Sequence, residues 1–147
     1  MKLLLTILLI CPSIIFAQNN NSETQNKSGF SSEWIAPASA NKLNNPLTEL
    51  SEATNKGEKL FEQNCTTCHG TSGKGDGPTA DMLDTKPADL TSPKVQKESD
   101  GALFWKITNG KGAMASYKKD LSEDQRWQLV NYIRKLGRDS VIQDKKK

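Results

Sequence analysis

The feature that most constrains the fold of this chain is the five-residue sequence CTTCH at positions 65–69. Two cysteines three positions apart on a helical turn face the same way, and the histidine that follows brings an imidazole beside them. His69 is the only histidine among 147 residues, and the only other cysteine is Cys11, near the amino terminus. The chain is therefore expected to fold around something that these three side chains hold.

This spacing is the pattern of c-type haem attachment, in which each sulfur forms a thioether and the histidine binds the iron. A structural zinc site would need about four Cys or His ligands. A dithiol redox motif is expected beside a βαβ pattern, which this sequence does not show. A disulfide between Cys65 and Cys68 suits an oxidising compartment but gives His69 no role. The sequence predicts one covalently attached haem c.

Few residues in the sequence could bind the iron on the side opposite His69. With no second histidine, the candidates are Met82, 82 − 69 = 13 residues after His69, and Met114, 114 − 69 = 45 residues after it. A ligand on the opposite face needs enough chain to pass round the haem, and glycines let the backbone approach closely. The glycine-rich residues 110–117, called here the methionine loop, favour Met114 as the axial ligand. Met82 is the alternative, in a short expected helix, and is otherwise expected to fill the core.

Residues 1–17 are predicted to be a secretory signal peptide. Lys2 is followed by an apolar run that is too short to span a bilayer. Cleavage is expected between Ala17 and Gln18, which puts the mature chain in the periplasm. An uncleaved anchor is the alternative. Lipid attachment at Cys11 is disfavoured because the preceding residue is not small.

The rest of the chain is expected to comprise a tether over residues 18–50, a folded domain over 51–139 and a charged tail over 140–147. The first part of the tether is polar and predicts disorder. The part that follows is expected to lie extended across the domain, with Trp34 as an anchor. Loss of Lys2 lowers the formal charge from +3 to 3 − 1 = +2. Nucleic acid binding needs a dense basic face, so no such partner is expected.

Three segments of the domain carry helix signals, and no window alternates apolar and polar residues. The class is therefore mostly α, with three to five helices. Glycine-, lysine-, aspartate- and proline-rich loops leave a small core, which favours a prosthetic group at its centre. The cap and end signals are Asn55 with Glu58, Asp100 with Gly110, and Ser122 with Gln125 and Gly137.

These motifs resemble those of the class I cytochrome c family, which consists of small mono-haem electron carriers. The resemblance covers about residues 55–136 and implies the cytochrome c fold, with its first and last helices crossing and all helices wrapped around one covalent haem. The residues that carry it are CTTCHG at 65–70, GKGDGP at 73–78, PADL at 87–90, the methionine loop, Gly57, Phe61, Trp127 and Tyr132.

The resemblance also implies that the Pro78 carbonyl accepts a hydrogen bond from the second ring nitrogen of His69. Trp105 or Tyr117 is expected to bond a haem propionate or a loop carbonyl, or else to be an ordinary core aromatic. One position departs from the family pattern, because Ala115 stands where many members have proline directly after the axial methionine. An unstiffened loop is expected to release the methionine more easily.

An iron with both axial positions filled has no site for substrate, so the chain is expected to transfer single electrons and not to be an enzyme. The expected partners are redox proteins: an oxidase, a reductase or a quinol-oxidising complex. The chain is expected to be a monomer that docks through lysines, although these lysines also suit a merely solvated surface: Lys74, Lys111, Lys118 and Lys119. Two alternatives remain open: a fixed subunit of a membrane respiratory complex, or a sensor or enzyme whose methionine detaches.

Overall fold

The computed structural model describes residues 33–48 and 50–146, and this part of the chain is helical, as predicted. It contains five α-helices and two 3-10 helices, and the part described has no β-strand. The signal peptide, its cleavage and the polar start of the tether lie outside the described residues. The α-helices are α1 (Ser51–Asn64), α2 (Thr66–His69), α3 (Pro93–Gln96), α4 (Asp100–Asn109) and α5 (Glu123–Asp144); the 3-10 helices are Ala40–Lys42 and Ala80–Met82.

The first and last long helices, α1 and α5, pack together and form the centre of the core. Phe61 on α1 is 1% exposed, and its ring centroid lies 5.2 Å from that of Tyr132 on α5. A side chain at Gly57 would put a Cβ 2.0 Å from the carbonyl oxygen of Gln128. Glycine is therefore what lets the two helices approach this closely.

Two of the predicted helix boundaries are wrong. Helix α1 begins at Ser51, and the amide of Thr54 already donates to the Leu50 carbonyl, so Asn55 lies inside the helix and cannot cap it. Helix α5 does not end at Gly137 but continues to Asp144, through residues expected to form a tail. A Cβ at Gly137 would lie 2.3 Å from the Gln96 side chain, so this glycine serves close packing.

The other end signals come close to the structure. The capping box predicted at Ser122 and Gln125 is confirmed, with the side chain of each bonding the backbone N–H of the other. Helix α4 is capped by Ser99, one residue before the predicted Asp100. Gly110 ends α4 with φ of 64°, in the left-handed region expected of such a residue.

Residues 34–48, called here the strap, cover one side of α4. The sequence predicted an extended segment, but the strap includes the 3-10 helix Ala40–Lys42 and is packed by small residues. Ala36 and Ala40 are buried against Ala102. A Cβ at Gly101 would lie 2.0 Å from the Ala40 carbonyl oxygen, so glycine is required for this contact.

Asparagines join the strap to both α4 and α5. The amide of Asn45 donates to Asp100 at 3.1 Å and to Asn131 at 2.7 Å, and the amide of Asn131 donates to the Leu47 carbonyl at 2.6 Å. Trp34 lies beside Trp105, with ring centroids 6.4 Å apart. The strap is thus bonded into the folded unit.

The end of α4, from which the methionine loop leaves, is fixed against α5. The rings of Phe104 and Trp127 stack with centroids 4.0 Å apart, and the Arg126 guanidinium lies 4.8 Å from the centre of the Phe104 ring. Arg126 also donates to the Thr108 hydroxyl. The start of the methionine loop is therefore anchored to the core. No helix in the described ranges is long and apolar enough to cross a membrane.

Candidate functional site

Of the two predicted cysteines, Cys65 lies between α1 and α2 and Cys68 lies within α2; residues 65–69 are called here the cysteine turn. Both are half-buried and neither forms a disulfide. Cys65 packs against the main core, and its burial raises the pKa of its thiol to about 12, so that the sulfur stays protonated. The sulfur of Cys68 lies 3.5 Å from the Thr79 hydroxyl. A protonated Cys65 does not favour thiolate redox chemistry.

Residues 70–90, called here the proximal loop, fold back along the cysteine turn. Backbone N–H groups of the loop donate to the carbonyls of the turn, which leaves no room for side chains between them. A Cβ at Gly77, for example, would lie 2.5 Å from the carbonyl oxygens of both Thr66 and Thr67. The bonds run from Gly75 to His69 (2.9 Å), from Gly77 to Cys68 (3.1 Å) and from Thr79 to Thr67 (3.1 Å).

The ring of His69 is fixed by a backbone carbonyl, but not by the one that was expected. Its Nδ1 lies 3.0 Å from the carbonyl oxygen of Ala88. Since Nδ1 can make one such bond, the expectation that Pro78 fills this role is wrong. The amide of Leu90 donates to Gly73 at 2.7 Å, and this bond draws the end of the proximal loop in beside the ring. Pro78 belongs instead to the stretch that runs along the cysteine turn.

The bond to Ala88 also determines what the other ring nitrogen can do. With Nδ1 donating to the carbonyl, Nε2 carries a lone pair, which is the form that binds a metal. Burial lowers the pKa of His69, and the Ala88 bond offsets part of this effect. The imidazole is therefore held neutral and in one orientation.

Met114 lies in a tight turn within the methionine loop. The backbones of Lys111 and Met114 exchange two hydrogen bonds, of 3.0 and 3.1 Å, and Gly112 between them has φ of 58°. Met114 is half-buried and packs against the same core as Cys65. The other candidate, Met82, is 81% exposed, so the expectation that it fills the core is wrong.

Tyr117, at the end of the methionine loop, reaches the cysteine turn. Its hydroxyl donates to the carbonyl of Asn64, the residue directly before Cys65, at 2.8 Å. The acceptor belongs to the last residue of α1, so this is not the bond to a loop carbonyl that was expected for Tyr117 or Trp105. Trp105 instead lies against Trp34 of the strap, away from the cysteines.

These residues fit a covalently attached haem. Two cysteines stand one turn apart, a neutral imidazole offers Nε2, and half-buried apolar side chains can form the wall of a crevice. That wall includes Leu60, Leu90, Met114 and Tyr117, all packed against the main core. Two contributors escaped the sequence analysis, the Thr79 hydroxyl and the Ala88 carbonyl. The PADL motif at 87–90 pointed to the second region, but a carbonyl leaves no mark of its own in a sequence.

Known proteins have sequences similar to that of this chain. Residues 52–133 match the family described as cytochrome c oxidase, cbb3-type, subunit III. The chain is 35% identical over 77 residues to cytochrome c6 of Leptolyngbya boryana, which covers 52% of this chain and 85% of that protein. It is 33% identical over 105 residues to cytochrome c6 of Gloeothece citriformis (strain PCC 7424), covering 71% and 79% respectively.

A solved structure is similar as well. A chain of the reducing HAO-like protein complex of Kuenenia stuttgartiensis superposes with a TM-score of 0.58 at 32% identity. The match covers 64% of the present chain and 49% of that one, so the present chain spans about half of its length.

Proposed function

Because this chain belongs to the mono-haem c-type cytochromes and so carries a covalent haem c, we propose that it is an electron carrier with its iron held between His69 and Met114. The mostly α cytochrome fold predicted from the sequence is confirmed. When bound, the haem supplies a one-electron couple, and a thioether ligand raises its reduction potential. The observation that carries the proposal is the His69–Ala88 bond, which leaves Nε2 for iron.

The chain's own residues have two tasks in this mechanism. His69, held by the Ala88 carbonyl, stays neutral and oriented, so little reorganisation accompanies a change in the charge of the iron. Met114 would be the second protein ligand of the iron and would keep small ligands from binding there. With no open coordination site, the chain transfers an electron without binding a substrate, and it is not an enzyme.

The charges within the two loop regions support a docking surface at residues 110–120, called here the methionine side. Residues 70–90 contain two lysines and four aspartates, a formal charge of 2 − 4 = −2. Residues 110–120 contain three lysines and one aspartate, a formal charge of 3 − 1 = +2. Lys111, Lys118 and Lys119 are exposed, and so is Lys74, which has Asp76 nearby in sequence. An acidic face of an oxidase, a reductase or a quinol-oxidising complex fits the methionine side best.

The proposed setting is the periplasm, with the chain acting as a monomer that moves between larger redox proteins. A fixed subunit of a respiratory complex is the second candidate. It is favoured by the family description, which names an oxidase subunit, and by the similar chain from a multiprotein complex. Recovery of the protein in the soluble periplasmic fraction supports the mobile carrier, whereas co-purification with membranes supports the subunit.

Optical spectra of the holoprotein test the axial ligand. The oxidised protein should show the weak long-wavelength band of a sulfur–iron bond. This band should vanish in Met114→Ala and persist in Met82→Ala, the matched control. A high-spin wild-type spectrum that changes on addition of carbon monoxide would instead indicate an open site, and the function would then be that of a sensor or an enzyme.

A further inference from the structure

The methionine loop lacks the proline that would stiffen it, yet it is tied to two helices. Its internal bonds between Lys111 and Met114 would move with the loop if it swung outward, so they do not hold it in place. Apart from Gly110, which ends α4, the loop is tied to the rest of the chain by residues that come after Met114. The Ser116 hydroxyl donates to the Thr108 carbonyl at 2.7 Å, and the amide of Tyr117 donates to the Ile107 carbonyl at 3.1 Å.

The hydrogen bond of the Tyr117 hydroxyl differs from these two bonds in the helix that it reaches. The bonds to Ile107 and Thr108 return to α4, the helix from which the loop departs, whereas the hydroxyl reaches the last carbonyl of α1. The acceptor, Asn64, directly precedes Cys65. The ring packs against the main core, and burial raises the pKa of the hydroxyl, which keeps it protonated as a donor. The Tyr117 side chain thus joins the methionine loop to the end of α1, directly before the cysteine turn.

We propose that Tyr117 is a positioning residue that latches the methionine loop to the end of α1, directly before the cysteine turn, and so keeps the Met114 sulfur on the iron. This inference rests on the ligation by His69 and Met114 proposed above. The latch takes the place of the missing proline, because it restricts the loop by an external bond. When the latch opens, the loop can swing away from α1 and the sixth position becomes available to another ligand.

Imidazole competes with the methionine sulfur and therefore reports on loop opening. The apparent affinity for an added ligand rises in proportion to the population of the open loop. Removing one net hydrogen bond from the closed state should raise imidazole affinity roughly three- to ten-fold. Tyr117→Phe holoprotein should therefore lose its sulfur–iron band at correspondingly lower imidazole concentrations than the wild type.

Tyr132→Phe is the matched control. It removes another tyrosine hydroxyl, which lies 3.4 Å from a Glu58 oxygen on the α1–α5 contact and not on the methionine loop. Its imidazole affinity should match that of the wild type. If Tyr117→Phe also binds imidazole as the wild type does, the latch is wrong while the axial ligand stands. If the wild type has no sulfur–iron band, the ligation fails, and the latch falls with it.

A second measurement needs no variant and so does not depend on whether Tyr117→Phe folds. In the reduced, diamagnetic holoprotein, the Tyr117 hydroxyl proton should exchange slowly enough with water to be seen by NMR. It should show a nuclear Overhauser contact to residue 64 or 65. A hydroxyl in fast exchange with solvent would overturn the latch.

Discussion

The proximal loop and the methionine loop are held to the rest of the chain by different kinds of bond. The proximal loop lies along the cysteine turn through successive backbone N–H groups, from Gly75, Gly77 and Thr79. The methionine loop relies on the amide of Tyr117 together with two side-chain hydroxyls. Backbone bonds survive most substitutions, whereas a hydroxyl bond is lost with one atom. The side of the cysteines is therefore fixed by the path of the backbone, whereas the position of Met114 depends on replaceable side chains.

The largest difference should appear between losing a cysteine of the turn along which the proximal loop lies and losing the methionine of the methionine loop. Cys68→Ser deletes one thioether and should abolish most covalent haem uptake, whereas Met114→Ala should retain its haem. Haem staining of denatured protein on a gel, with intact mass measurement, distinguishes the two outcomes. Normal haem content in the cysteine variant would contradict the attachment role assigned to this turn.

A matched pair of glycines compares the packing of the two loops. Ala at Gly77 would press a Cβ against two carbonyl oxygens, which cannot rotate away, and should lower the free energy of unfolding by about 1–3 kcal/mol. Ala at Gly112 meets no atom within 4 Å, but its φ of 58° is strained and should cost about 1–2 kcal/mol. Denaturant titration of both holoproteins measures the difference.

Which property each glycine variant changes is more informative than how much stability it loses. Gly77→Ala should reduce the yield of attached haem, because it disturbs the turn that holds the cysteines. Gly112→Ala should leave attachment intact, because it strains only the internal turn of the methionine loop. Lower haem yield in Gly112→Ala than in Gly77→Ala would contradict this contrast between the proximal loop and the methionine loop.

The smallest expected effect concerns charge. Lys118→Glu should slow oxidation of the reduced protein by ferricyanide, a trianion, by roughly three-fold at low ionic strength. Lys74→Glu should slow it less, because Lys74 belongs to the net negative proximal loop. Stopped-flow rates across a salt series test this, since screening should erase both effects. A larger effect at Lys74 would move the docking surface to the proximal side.

The sequence predicted side chains better than it predicted backbone partners. Cys65, Cys68 and His69 are recognisable because their chemistry needs those residue types at that spacing. The partner of the His69 ring is a carbonyl, which every residue possesses, and the analogy with Pro78 therefore chose the wrong part of the proximal loop. Only the fold shows that Ala88 lies beside the ring.

Glycine was ambiguous for a similar reason. Gly110 ends a helix through its positive φ, but Gly137 lies inside one because Gln96 packs against it. A sequence does not distinguish a glycine that ends a helix from one that allows close packing inside a helix, because the difference depends on long-range contacts. Met82 was expected inside because methionine is apolar, yet the 3-10 helix that ends there leaves it in solvent.

The strap has a consequence for how this protein should be dissected. A chain trimmed to residues 52–133, the part that matches the family, would lose Ala40 from its place against Gly101 and would strip Asn131 of the Leu47 carbonyl. The cut would expose apolar side chains along α4 and leave the buried amide of Asn131 to water. The compact unit that contains the strap begins at Trp34, well before residue 52, where the family match begins.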